Sequence, residues 1–255
     1  MAPVSRLQFA LLTLFAINCC AVFAQDDVAD VASQDLTIQG DPKQRYFLIG
    51  PDAGAEAPQQ GYSLLLVLPG GDGSAEFNPF IRRIYRNALP EKKYLVAQLV
   101  AVESKNKNQV VWPTAKSKDP KQTFATEMFI ANVVKEIKAK HKINDAEVFT
   151  LSWSSGGPPA YAASMTKETP IRGSLIAMSV FFPGQVSLPN AKGQKYFLLQ
   201  SPDDKVTKYV HATNARKALE KAGATVTLKD YAGGHGWHGD VFGNIREGIE
   251  WLANQ

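Results

Sequence analysis

The sequence predicts a single α/β domain: a mostly parallel central sheet with helices on both faces and no large cap domain. Three observations lead to this class. Short apolar, β-rich runs alternate with amphipathic segments of helical period along most of the chain, as they do when helices cover both faces of a sheet. Several glycine- or serine-rich stretches fall directly after the apolar runs, at the carboxyl ends of the expected strands, where sheets of this kind bind ligands. The length of 255 residues suits one such domain, and an apolar content of 45% provides for a sizeable core.

At the amino end, Arg6 precedes an apolar run over residues 9–17. A small-residue stretch ends in Val22-Phe23-Ala24, ahead of the polar Gln25-Asp26-Asp27. This is the three-part layout of a secretory signal peptide over residues 1–24, with cleavage expected after Ala24. The apolar run is well short of the ~20 residues that a bilayer-spanning helix needs, so a secreted or periplasmic protein without an integral membrane segment is expected. Cys19 and Cys20 both lie in this segment. The mature chain therefore has no cysteine for a disulfide, a thiolate nucleophile or a metal ligand. Loss of Arg6 lowers the formal net charge from +4 to +3, a mild balance unlike the concentrated charge of a nucleic-acid binder. The basic clusters at Lys105-Asn106-Lys107 and over residues 135–142 read as solvated loop and helix faces.

Residues 25–42 are expected to form a flexible amino-terminal segment, with the folded domain over 43–255. Within it, strands are expected over 45–49, 63–68, 94–100, 147–151, 173–178, 196–199 and 225–231. Helices are expected over 77–88, 123–141, 209–222 and 244–253, with another beginning after Gly157. Residues 51–60, rich in Ala, Gly, Pro and Gln, read as an exposed turn between strands.

The chemistry-bearing residues follow four of these strands. Leu68-Pro69-Gly70-Gly71-Asp72-Gly73 is a tight turn where an oxyanion hole would stand, with the amides of Gly71 and Ser155 as its donors. The loop has no P-loop lysine and no neighbouring acid cluster, so neither phosphate nor metal is read at Asp72. After the strand ending at Leu151 comes Ser152-Trp153-Ser154-Ser155-Gly156-Gly157. A nucleophile elbow needs small residues two before and two after its serine, which Ser154 has and Ser155, with Trp153 upstream, does not. Pro158 and Pro159 suit the first turn of a helix, although the second is expected to kink it.

A serine hydroxyl needs a base. Of the four histidines, His141 reads as a cation at a helix carboxyl end and His211 as a packing or surface residue. The other two lie in Gly233-Gly234-His235-Gly236-Trp237-His238-Gly239, where His235, nearer the strand, is the preferred base and His238 the alternative. The orienting carboxylate is expected after the strand 196–199, in Gln200-Ser201-Pro202-Asp203-Asp204, with either acid open.

These four motifs, in this order, resemble the α/β-hydrolase superfamily. Within it they are similar to the exported esterase branch of phospholipase/carboxylesterases, polyhydroxybutyrate depolymerases and feruloyl esterases. The resemblance covers essentially residues 45–255. It implies a Ser154, Asp204, His235 triad, prefers Asp204 over Asp203, and implies hydrolysis of a small or polymeric carboxylic ester through an acyl-enzyme without cofactor or metal. Ser201 stands where those relatives often have glycine. Asp72, Trp112, Trp153, Trp237 and His238 lie near the expected site loops as candidate substrate contacts, although such tryptophans often only pack. A serine peptidase of the same fold and a non-catalytic polymer-binding module are the alternatives; the oligomeric state is not readable.

Overall fold

The computed structural model describes residues 27–51, 54–90, 92–103, 110–117 and 124–255. The expected signal peptide and Lys105-Asn106-Lys107 lie outside the described residues. Eight strands form one open sheet: β1 (Ser33–Thr37), β2 (Arg45–Ile49), β3 (Tyr62–Leu68), β4 (Tyr94–Leu99), β5 (Ile143–Trp153), β6 (Gly173–Ala177), β7 (Lys195–Gln200) and β8 (Thr225–Asp230). Their order is β1-β2-β4-β3-β5-β6-β7-β8. The pairs β1/β2 and β2/β4 are antiparallel; every other pair is parallel. The helices are α1 (Asn78–Ala88), α2 (Thr126–Lys140), α3 (Gly157–Ser164), α4 (Val210–Lys221) and α5 (Val241–Asn254).

The two-residue period of β3 shows how the layers arise. Leu65 and Val67 join a core with Ile81 and Ile84 of α1 and Ile245 and Ile249 of α5. Leu64, Leu66 and Leu68 point the other way, against Phe129, Val133 and Ile137 of α2. Both faces are thus apolar, which is why this strand is a continuous hydrophobic run. A third cluster packs Ala160 and Tyr161 of α3 against Tyr196 and Leu198 of β7 and Ala215 and Leu219 of α4.

The sheet class agrees with the sequence expectation; the amino-terminal segment does not. Residues 33–37, expected to be flexible, form β1, whose Asp35 pairs with Arg45 of β2 at 2.7 Å. Ahead of it Val28 and Val31 are buried in the core under α1. Arg82 of α1 donates to the carbonyls of Val28 and Val31, Arg83 pairs with Asp27 and Arg86 with Asp30. Three arginines within about one helical turn thus strap the segment down, and neither partner's sequence reveals this alone.

Smaller differences are at element ends. β5 starts at Ile143, four residues early, with a register irregularity against β3 between Ile143 and Val148. α2 starts at Thr126, and the expected start at Thr123 lies outside the described residues. α5 starts at Val241, where the Asp240 carboxylate accepts from the Gly243 amide and caps it.

Candidate active site

All four chemistry-bearing segments emerge at the carboxyl ends of β3, β5, β7 and β8. The chain leaves β5 at Trp153 and enters a 3-10 turn, Ser154–Gly156, that runs into α3. Ser154 has φ of +50°, in the left-handed region that costs a non-glycine residue about 1 kcal/mol. Its neighbours enforce the turn. A Cβ on Gly156 would stand 2.1 Å from the Leu68 carbonyl oxygen, so only glycine fits between the elbow and β3. Ser179 Oγ donates to the Ser154 carbonyl at 2.7 Å. Ser152 is fully buried, as the close approach demands. Pro158 and Pro159 occupy the unpaired first turn of α3, which continues to Ser164; the expected kink is absent because neither ring removes a helical hydrogen bond.

His235, in the loop between β8 and α5, places Nε2 3.2 Å from Ser154 Oγ. Its Nδ1 lies 2.8 Å from Asp204 Oδ2. A carboxylate only accepts, so the proton belongs on Nδ1 and leaves Nε2 to accept from the serine. The Asp204 side chain is wholly buried. Its Oδ1 accepts the amides of Val206 and Thr207, each at 2.8 Å, and its Oδ2 accepts Thr207 Oγ1 at 2.7 Å and Gln200 Nε2 at 3.0 Å besides His235. Burial pushes this carboxyl up, but the hydrogen bonds from Thr207, His235 and the two amides outweigh it and hold the pKa at about 2.

The alternatives fall elsewhere. Asp203 is exposed, its amide donating to Ser201 Oγ at 3.2 Å. His238 is exposed with its ring over Gly233, where a Cβ would come within 2.6 Å, and it does not meet Ser154. His211 lies in the first turn of α4, and His141 follows α2, its imidazole pushed down by burial and by Lys140.

The Gly70 to Gly73 turn closes with a 3.0 Å backbone hydrogen bond, and Gly71 has φ of +60°. That conformation is easy for glycine alone. Ser155 Oγ donates to the Gly71 carbonyl at 2.9 Å and ties this turn to the elbow, so the residues expected to supply oxyanion donors are neighbours. Trp112 is buried with its Nε1 donating to the Pro69 carbonyl at 2.9 Å, and a Cβ on Gly73 would press on its ring at 2.7 Å. Its place behind the turn corrects the expectation of a substrate contact. Trp153 is likewise buried, meeting Phe77, Phe80 and Trp237 edge-on with centroids 5.5, 5.9 and 5.6 Å away. Trp237 is only partly buried, and Asp72 is exposed, its carboxylate accepting from the Ser74 amide at 3.0 Å.

Sequence reasoning missed Gln200 and Thr207, which hold the acid, Ser179 behind the elbow, and Phe77, whose ring edge lies 3.6 Å from a Cβ placed on Gly71. Among the described residues no group of three His, Cys, Asp or Glu side chains could hold a metal ion, and no helix is long and apolar enough to cross a membrane.

No protein-family model matches the chain, and no curated protein matches it in sequence. Solved structures do. An α/β-hydrolase enzyme from a Medee basin deep-sea metagenome library superposes with a TM-score of 0.61 at 14% identity, covering 87% of this chain and 96% of its own. A carboxylesterase from Mesorhizobium loti gives 0.63 at 17% identity, with coverages of 88% and 99%. One of two fungal esterases from Rhizomucor miehei gives 0.66 at 12% identity, with coverages of 88% and 83%. Sheet order, helix placement and these superpositions together lead to one statement: the chain has the α/β-hydrolase fold.

Proposed function

We propose that the chain is an exported serine hydrolase that cleaves carboxylic esters through an acyl-enzyme. The observation that carries this reading is the left-handed Ser154 with its Oγ 3.2 Å from His235 Nε2, while Nδ1 of the same ring leans on a buried, ionised Asp204 at 2.8 Å. The esterases with this fold support the choice of ester over other acyl substrates.

Ser154 Oγ attacks the ester carbonyl carbon as its proton passes to His235 Nε2. The oxygen that gains charge lies toward the amides of Gly71 and Ser155. Collapse of the tetrahedral intermediate expels the alcohol, which takes the proton from His235 and leaves an acyl-serine. Water, deprotonated by the same nitrogen, then releases the acid. Asp204 holds the tautomer and stabilises the imidazolium without taking the proton.

The test is hydrolysis of p-nitrophenyl esters from acetate to palmitate by the mature protein beside Ser154→Ala and Ser155→Ala. Activity lost in Ser154→Ala and retained within about tenfold in Ser155→Ala is expected. A wild-type protein inert on the whole series defeats the reading and favours a peptidase or a non-catalytic binding module. Export rests on the amino-terminal pattern; intact-mass measurement of protein recovered outside the cytoplasm should show a chain beginning at Gln25.

A further inference from the structure

The proposed reaction needs His235 held between Ser154 and Asp204, yet the loop that carries it belongs to no helix or strand. Gly233, Gly234 and Gly236 around it have φ of +120°, +83° and +123°. Such a backbone has more conformations to lose than any other, so something must choose one. Three side-chain hydroxyls do so. Tyr231 OH lies 3.0 Å from the Gly234 carbonyl and 2.9 Å from the Gly236 carbonyl, gripping the chain on either side of His235. Ser201 Oγ, fully buried, accepts the Gly234 amide at 3.1 Å and the Asp203 amide at 3.2 Å, joining the histidine loop to the acid turn. Thr207 Oγ1 donates to Asp204 Oδ2 at 2.7 Å while its oxygen lies 3.3 Å from His235 Nδ1.

We propose that Ser201, Thr207 and Tyr231 are positioning residues of the ester hydrolysis, locking the His235 loop and the Asp204 turn into one unit; this rests on the serine-hydrolase reading. The Ser201 hydroxyl then explains why serine stands there: glycine would leave the Gly234 amide without its acceptor. All three act on the acid and base rather than on substrate, so their loss is expected in kcat.

The test compares Ser201→Ala, Thr207→Val, Thr207→Ser and Tyr231→Phe with the wild type on its best p-nitrophenyl ester. Thr207→Val keeps the amide that donates to Asp204, and Tyr231→Phe keeps the ring, so both remove only the hydroxyl's part. Each deletion is expected to lower kcat about tenfold, the loss of roughly one hydrogen bond, with KM within about twofold. Thr207→Ser should restore most of the rate. Without substrate, the proton NMR signal of His235 Nδ1–H should broaden or vanish in the deletion variants and persist in Thr207→Ser. Deletion variants with kcat within twofold of wild type and an unchanged Nδ1–H signal overturn the proposal while Ser154→Ala still reports on the hydrolase reading. If the wild type cleaves no ester, the hydrolase reading falls and the proposal falls with it as a statement about catalysis, while an unchanged signal in all three deletions would also refute the locking of His235 by these hydroxyls.

Discussion

Asp204→Asn keeps the size of the side chain and removes its charge from a pocket in which every neighbour donates. Oδ1 faces two backbone amides that cannot turn away; Oδ2 faces Thr207 Oγ1, Gln200 Nε2 and His235 Nδ1. The asparagine oxygen therefore takes the place of Oδ1 and its NH2 the place of Oδ2. There it can donate to Nδ1 only if the imidazole carries its proton on Nε2, aimed at Ser154, where it can no longer accept. Loss of kcat by about 10⁴-fold is expected, the scale of a wrong tautomer in triads of this type. The effect on stability follows from the displacement of the carboxyl from 3.8 to about 2, equivalent at about 1.4 kcal/mol per unit to about 2 kcal/mol. Because the folded value is depressed, this stabilisation is complete above the unfolded value of about 3.9 and disappears as pH falls towards 2. At pH 7 the variant should melt about 5 °C or more below wild type, and the gap should narrow by about 2 kcal/mol between pH 4 and pH 2. Calorimetry at pH 7, 4 and 2, with ester turnover at pH 7, makes the comparison. A gap that does not narrow with acid, or a variant within tenfold of wild-type kcat, refutes the reasoning.

Gly156→Ala forces a Cβ to within 2.1 Å of the Leu68 carbonyl and should cost about 3 kcal/mol, visible as a lower melting temperature together with lost turnover. Trp153→Ala empties a buried site walled by Phe77, Phe80 and Trp237; a loss of about 3–5 kcal/mol by urea titration is expected. Trp112→Phe removes the donor to the buried Pro69 carbonyl and should cost about 1–2 kcal/mol, with a lower kcat if the Gly70 to Gly73 turn loosens; an unchanged melting temperature would show that water replaces the indole.

What the sequence disclosed depended on whether a residue's role is written in its own neighbourhood. The strand at Tyr62–Leu68 is legible because it is buried on both faces and so reads, from Leu64 to Leu68, as an unbroken apolar run. β1 is not, since Ser-Gln-Asp-Leu-Thr carries no apolar rhythm and becomes a strand only through β2 and Arg45. Ser154 and His235 stand out because an elbow and a glycine-rich loop are local signatures. Thr207 and Tyr231 do not, for a hydroxyl shows its use only beside a partner, in these cases Asp204 and the carbonyls around His235. Trp112 lies near an expected site loop in sequence, but nothing along the chain distinguishes a ring that faces substrate from one that stands behind a turn.

The strap of Asp27 to Val31 on α1 has a consequence for how the molecule comes apart. Beside the hydrogen bonds from Arg82 to the Val28 and Val31 carbonyls, its anchors are of two kinds: Val28 and Val31 buried among apolar side chains, and exposed ion pairs of Asp27 with Arg83 and Asp30 with Arg86. Molar salt, with a screening length of about 3 Å, weakens the second kind and leaves the first intact. β1 stands at one edge of the sheet and pairs with β2 alone, so the strap and β1 can open together while the other strands stay paired. Proteases should therefore nick near residue 33 sooner as salt rises, and each such opening uncovers the outer edge of β2 to whatever strand is nearby.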